Sequence, residues 1–425
     1  MLDLSSFRLS RMACASLLLA AALTLASAQP APPPSASSLA GSAAPTGVTS
    51  LREALDAAWA LSPAARSADS RRAQLQAREG AASSWINGSP SAALAQRSDR
   101  FNNNGGLREY EAELELPIWN PGVRAATQRE LAALRLGFEP RQGVARLQLA
   151  AELRETAASV AVALTERDLA ERKHSEALAL AQDVERRVKA GDSARVDGLQ
   201  AQSLAQQAAS GREQAQQALT RLHNQWLALT GLAAVPPLGE PLPADALAQA
   251  DHPALQAAQT RVQAAQAALE LSETDRRDPM AVGVGVTRER SAFGAAGETS
   301  LRLALKIPFG TDNRNAPRTA AARAELDAAQ AALDAAQRQV RGELASATAE
   351  LEAARRTQAS MAERARLSQE VQVLVATSYR LGESDLPTRL RADSEKFEAD
   401  LSLARARVGL QRAISQLNQA LGLLP

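Results

Sequence analysis

Sulfur, histidine and aromatic rings are scarce in this chain, and each scarcity excludes something. Cys14 is the only cysteine among 425 residues and falls in the signal peptide expected over 1–28, so the mature protein is expected to have no disulfide, thiol catalysis or thiolate metal site. The three histidines, His174, His223 and His252, are isolated in helical contexts without an acid or Cys at ligand spacing. They read as surface or capping residues, and no metal, cofactor or catalytic constellation is expected. Aromatics make up 3% of the chain, too few for one large compact core. Alanine-rich helices packed in thin layers account for that better. An excess of one charge is also missing. Removing Arg8, Arg11 and Asp3 from 48 basic and 47 acidic residues leaves 46 of each, which gives no hold on nucleic acid. Beyond the amino-terminal segment, no apolar run reaches the ~18 residues of a membrane-spanning helix.

What is present begins with Arg8 and Arg11, an apolar run over residues 17–25, and Ala26-Ser27-Ala28 before Gln29. This pattern predicts a secretory signal peptide over 1–28 with an A-x-A cleavage site. Cys14 precedes the apolar run, so it is not placed for lipidation. Residues 29–49, with Pro32-Pro33-Pro34 followed by Ser, Ala and Gly, predict a disordered or extended leader.

The remainder repeats at constant offset. Val188-Lys189-Ala190-Gly191-Asp192-Ser193 and Tyr379-Arg380-Leu381-Gly382-Glu383-Ser384 place their glycines 191 positions apart. Each ends a heptad-like run and precedes another. Gly supplies the left-handed C-cap and Ser can cap the next helix, so each stretch predicts the sharp end of a long αα-hairpin. Leu229-Thr230-Gly231-Leu232 corresponds to Ala420-Leu421-Gly422-Leu423, and Pro117 to Pro308. The expectation is two homologous halves, 50–232 and 250–425, joined by a Pro-rich connector over 233–249.

Within each half the hydrophobic period changes. Over residues 107–118, Tyr110, Ala112, Leu114 and Leu116 alternate with Glu109, Glu111, Glu113 and Glu115, a strand with one apolar and one acidic face. A weaker strand is expected within 84–97, across the turn at Asn102-Asn103-Asn104-Gly105-Gly106. In the second half Val282, Val284 and Val286 alternate with glycines. After a loop at 294–297, Leu301, Leu303, Leu305 and Ile307 alternate with Arg302, Ala304 and Lys306. Gly283-Val284-Gly285 is no phosphate loop, since no helix comes directly after it. Trp85, Phe101, Tyr110, Trp119, Phe293 and Phe309 lie in or beside these hairpins, an arrangement suited to a transmembrane β-barrel. Four strands cannot close one, and open edges are prohibitive in lipid, so the barrel must be shared between subunits. Four carboxylates on one strand face belong in a wet lumen, with Arg302 and Lys306 offsetting two of them.

After the hairpins come the long helices. Leu326, Leu333, Val340 and Ala347 recur every seven residues, with Ala329, Ala336, Leu344 and Leu351 between them. The run 314–380 would extend about 100 Å at 1.5 Å per residue, enough to cross a periplasm. Its counterpart, 124–188, carries Gly137 and Pro140, where a kink is expected.

These features together resemble the TolC-like outer-membrane efflux proteins. The likeness rests on the duplication, on Ser50-Leu51-Arg52-Glu53-Ala54-Leu55, on Leu116-Pro117-Ile118-Trp119-Asn120-Pro121-Gly122 and Ile307-Pro308-Phe309-Gly310, and on the two Gly-centred tips. The resemblance implies a mostly helical mixed α and β fold, with long antiparallel helices forming a periplasmic α-barrel. Four strands per chain would enter a twelve-stranded barrel of a homotrimer in the outer membrane of a Gram-negative bacterium. It also implies docking of a periplasmic adaptor and an inner-membrane pump at the tips Gly191, Asp192, Ser193, Gly382, Glu383 and Ser384. Asp197 matches an acidic gate position, whereas Thr388 and Arg391 stand where acids sometimes occur. The function implied is the outer-membrane channel of a tripartite efflux or type I secretion system. The other class to weigh is a soluble periplasmic coiled-coil scaffold or membrane-fusion adaptor, which would lack two strand pairs with one apolar face. Cargo is not written in the sequence.

Overall fold

A computed structural model describes residues 50–242, 252–309 and 312–425. The signal peptide and leader expected over 1–49, and the connector's residues 243–249, lie outside them.

The chain opens with α1 (Leu51–Leu61) and α2 (Pro63–Ser83). Ser50 caps α1, its hydroxyl accepting from the Glu53 amide, and Ser62 caps α2 with Pro63 preset in the first turn. Strands β1 (Ser91–Ser98) and β2 (Arg108–Ile118) make the first hairpin, with β1 one residue beyond its expected window. Then come α3 (Val123–Leu136), α4 (Phe138–Ala190) and α5 (Arg195–Thr230). The expected kink near Gly137 is instead a break between two helices, with Gly137 capping α3 through bonds to the carbonyls of Ala133 and Arg135. Pro140 falls in the first turn of α4, where a missing amide hydrogen costs nothing.

The second half runs α6 (Pro253–Thr274), β3 (Met280–Arg290), β4 (Glu298–Lys306), α7 (Asp312–Leu381) and α8 (Leu386–Ala420). Ile307 lies just past β4 and does not extend its alternation. The 70 residues of α7 span about 105 Å at 1.5 Å per residue. Each hairpin is thus preceded by helix and followed by a long helix and a shorter one, with α2 and the separate α3 additional before and after the first.

All four strands join one antiparallel sheet in the order β1-β2-β3-β4. The β2–β3 pairing, closed at one end by Ile118 opposite Met280, joins hairpins more than 150 residues apart in sequence. Asn120 fixes the junction of sheet and helices: its side-chain amide donates to the carbonyls of Arg277 and Asp278, and its oxygen accepts from the Met280 amide.

The helical body buries small residues. One cluster gathers Leu51, Ala54, Leu55, Ala58, Ala150, Leu153, Ala157 and Trp226. On α7 the buried heptad positions are Ala329, Val340, Ala347 and Leu351. The start of the connector is pinned to this body. Trp226 Nε1 donates to the Ala234 carbonyl, and Glu240 forms a 2.7 Å ion pair with Arg154 in which the two side chains are only 7% and 5% exposed. Arg154 also donates to Gln419 Oε1 and the Leu423 carbonyl, tying α4 to the chain's end. No helix among the described residues is long and apolar enough to cross a membrane.

Candidate channel wall and helical tips

The sheet's register decides which side chains share a face, because directly paired residues point the same way. Ala112 lies between Leu94 and Val286, Leu114 between Ala92 and Val284, and Val284 and Val286 face Leu303 and Leu301. One face is therefore apolar across all four strands, and it is uncovered: Leu94 is 86% exposed and Leu303 74%.

The opposite face carries Glu109, Glu111, Glu113 and Glu115. Arg302 reaches Glu111 at 3.0 Å and Lys306 reaches Glu115 at 3.4 Å. Both pairs cross over β3, where Gly283 and Gly285 leave room. A Cβ on Gly283 would stand 3.1 Å from the Glu113 carboxylate, and one on Gly285 would stand 3.8 Å from Arg302 Cβ. The strand glycines thus leave β3 without side chains beside these carboxylates.

Reading the sequence missed three members of this face. Arg97 lies opposite Glu109, 3.9 Å from its carboxylate, and Glu289 lies opposite Glu298. The excess is accordingly not four acids against two cations. Six acids (Glu109, Glu111, Glu113, Glu115, Glu289 and Glu298) face three cations (Arg97, Arg302 and Lys306), leaving three in excess. The alternation in β1, SAALAQRS, is too weak to set a face without its partner strand.

The helical tips sit at the other ends of the long helices. Gly191 (φ 87°) and Gly382 (φ 80°) are both left-handed. The amide of Asp192 bonds the Arg187 carbonyl and that of Glu383 the Ser378 carbonyl, while each glycine amide bonds the carbonyl three residues back. Both tips are therefore Schellman caps. Neither tip serine caps the helix beyond it. Asp385 caps α8, accepting from the Thr388 amide at 3.0 Å, and Ala194 precedes α5 without a side-chain cap. Bonds from the Thr388 side chain and amide hold the Asp385 carboxyl below its usual range. Ser384 Oγ is buried without a partner.

The two tips pack together. Val184, Ala201 and Ala205 of the first share a cluster with Tyr379 and Leu386 of the second. The Arg187 guanidinium lies 5.0 Å from the Tyr379 ring and is bonded to Asp183 at 3.1 Å. Burial pushes the Tyr379 hydroxyl up, with Arg187 acting against it and Asp183 and Asp197 adding to it. Asp197 lies in the first turn of α5. Gly191, Asp192, Gly382 and Glu383 are exposed, as is Leu381 at 70%.

His252 caps α6, its Nδ1 accepting from the Ala254 amide, and burial holds its pKa down. Among the described residues no group of His, Cys, Asp and Glu is arranged to hold a metal.

The model of the outer membrane efflux protein family matches residues 245–423. The second half of this chain is thus similar to outer membrane efflux proteins. It contains α6, β3, β4, α7 and α8, and so one hairpin of the sheet and one tip. No curated protein matches the chain, but solved structures do. A membrane protein from Pseudomonas aeruginosa is 19% identical with a TM-score of 0.72, over 90% of this chain and 95% of that one. The outer membrane protein VceC from Vibrio cholerae is 16% identical with a TM-score of 0.72, over 88% and 96%. The CmeC outer membrane channel of Campylobacter jejuni is 15% identical with a TM-score of 0.69, over 88% and 85%. The likeness of fold to these structures therefore covers the first half as well, beyond the residues that the family model matches.

Proposed function

We propose that this protein is the outer-membrane channel component of a tripartite efflux or type I secretion system, working as a homotrimer in the outer membrane of a Gram-negative bacterium. One observation carries the reading: a four-stranded sheet with an uncovered apolar face, a charged face behind it, and open edges at β1 and β4. Such edges are intolerable in hydrocarbon, so copies must pair β4 to β1 until the sheet closes. Two copies would give about eight strands, whose interior side chains fill, leaving no lumen for rows of carboxylates. Three copies of four strands give twelve, closed and hollow. The outward leucines then meet lipid, and the glutamates line water.

The two halves, 50–232 and 250–425, are read as repeats of one unit joined by the 233–249 connector, each giving one hairpin and one tip. The helices continue the conduit through the periplasm. The tips, residues 191–193 and 382–384, exposed at Gly191, Asp192, Gly382 and Glu383 and with Leu381 beside them, form the end that a periplasmic adaptor and inner-membrane pump would engage. Asp197, an acid in the first turn of α5 just past the first tip, is read as a candidate for closing that end.

The test is extraction and mass. The purified full chain should require detergent and run as a trimer by light scattering corrected for bound detergent. A monodisperse monomer without detergent would overturn the proposal and favour a soluble periplasmic scaffold.

A further inference from the structure

Every cation on the sheet's polar face has a carboxylate partner, whereas the cations of its apolar face have none. The register sets Arg108 opposite Arg290 and Tyr110 opposite Arg288, so three guanidiniums share the loop end of the apolar face. Direct cross-strand partners stand about 5 Å apart and successive same-face residues about 7 Å apart. Like charges that close repel one another. Among the described residues none of the three makes an ion pair: the acids Glu109, Glu289 and Glu298 lie on the opposite face by register, and Asp99, in the first hairpin loop against Gly105, pairs with none of them.

The cluster is held, not trailing. Arg290 Nε donates to the Gly106 carbonyl at 3.4 Å, and its guanidinium lies 5.8 Å from the Phe293 ring. The two hairpin loops clasp there, with the Phe293 amide donating to the Gly105 carbonyl at 3.1 Å. A Cβ on Gly106 would come 2.4 Å from the Phe293 nitrogen, so only glycine allows this approach. Arg108 and Arg288 remain exposed. Beneath them a shallow hollow of about 450 Å³ is lined by Leu94, Tyr110, Ala112, Val286 and Arg288. At the helical end of the same face stand Leu116, Ile118, Met280, Val282 and Leu305, with no cation among them. The face is therefore apolar along its length and cationic at one rim only.

We propose that Arg108, Arg288 and Arg290 form a binding site for a diphosphorylated outer-leaflet glycolipid of the lipid A class, with an acyl chain lying along the Leu94–Val286 hollow. The inference rests on the proposed channel function, in which the helices are periplasmic and the hairpin loops therefore face outward. Guanidinium forks suit phosphate oxygens, and a headgroup with two phosphates matches a three-cation cluster better than a phospholipid with one.

The test uses the purified full-length oligomer in detergent free of lipopolysaccharide, titrated with diphosphoryl lipid A, dephosphorylated lipid A and phosphatidylglycerol, and read by native mass spectrometry. Diphosphoryl lipid A should bind at least about tenfold more tightly than either other lipid. Arg108→Gln with Arg288→Gln, keeping the loop-clasping Arg290, should remove that preference while the oligomer persists. Arg108→Lys with Arg288→Lys should keep most of it, and Arg97→Gln, on the other face, all of it. Equal binding of the three lipids, or an unchanged preference in the glutamine pair, overturns the inference alone. Phosphatidylglycerol bound as tightly as lipid A overturns the glycolipid assignment. A wild-type chain that is monomeric without detergent overturns the channel reading, and this inference with it.

Discussion

Leu153 in the helical body is fully buried, whereas Leu303 in the sheet is 74% exposed, though each belongs to a regular apolar stripe. The body turns its apolar side chains inward at a helical period and chooses alanine so that long helices can approach. The sheet turns leucine and valine outward at a period of two and keeps its charges behind. Ion pairs differ in the same way. Arg154–Glu240 is closed off inside the body, and Arg302–Glu111 spans an accessible face with side chains 59% and 27% exposed. One chain thus carries two opposite answers to where water is, and each can be challenged by substitution.

The largest effect is expected where a charge is most enclosed. Glu240→Leu leaves Arg154 buried without its counterion and should cost about 3–5 kcal/mol. Adding Arg154→Met should recover most of that loss, since apolar replacement of a whole buried pair is often neutral. Arg302→Gln in the sheet should cost about 1 kcal/mol or less. Thermal unfolding of the detergent-solubilised protein compares the three. A Glu240→Leu variant as stable as wild type would mean that water reaches this pair.

Next comes the leucine comparison. Leu303→Arg and Leu374→Arg change residues of equal exposure, 74% and 71%, in the two regions. If Leu303 faces hydrocarbon, an arginine there should disfavour insertion by about 2–4 kcal/mol. The same change on α7, outside the sheet, should leave insertion within about 0.5 kcal/mol. Equal recovery of both variants in the membrane fraction would mean that the sheet's apolar face is not lipid-facing.

These two regions were not equally legible in the sequence. The long helices, the left-handed tips and the two-faced β2 could be read because each depends on local period or on glycine backbone geometry. The full charge count of the polar face could not, since the side on which Arg97, Glu289 and Glu298 fall is set by pairing to distant strands. The caps slipped for a similar reason. Gly-Asp-Ser and Gly-Glu-Ser both read as stop and restart, but the Schellman turn uses one more residue before α8 begins, so Asp385 and not Ser384 accepts from the Thr388 amide. At Gly137 the sequence signalled an irregularity, and only packing decided that it separates two helices.

A smaller effect, of opposite sign at two sites, is expected for glycine in the helical body. At neither Gly342, inside α7, nor Gly382, at its tip, would a Cβ meet any atom within 4 Å, so only the backbone decides. Gly342→Ala should stabilise by up to about 1 kcal/mol, as helix propensity requires. Gly382→Val must hold a left-handed conformation and should destabilise by about 1–2 kcal/mol. Under the proposed function the oligomer should survive, while pump-dependent export falls because the tip is distorted. If export is unaffected by substitutions at both Gly191 and Gly382, the tips are only turns.

The smallest change in stability should come from the polar face, where its effect on conduction is largest. Glu109, Glu111, Glu113 and Glu115 share one face by register, and only Arg97, Arg302 and Lys306 offset the six acids there. Replacing the four with Gln removes exposed or half-exposed ion pairs, each worth about 1 kcal/mol or less, so assembly should persist. The face then carries three cations against Glu289 and Glu298, and its excess changes from negative to positive. Reversal potentials in a salt gradient, measured on single channels with the helical end opened, should shift away from cation preference and towards anions. Arg302→Gln alone should move the potential the other way, and both shifts should shrink at high salt as the charges are screened. A variant that fails to insert, or a potential that stays where it was, would place the glutamates outside the lumen.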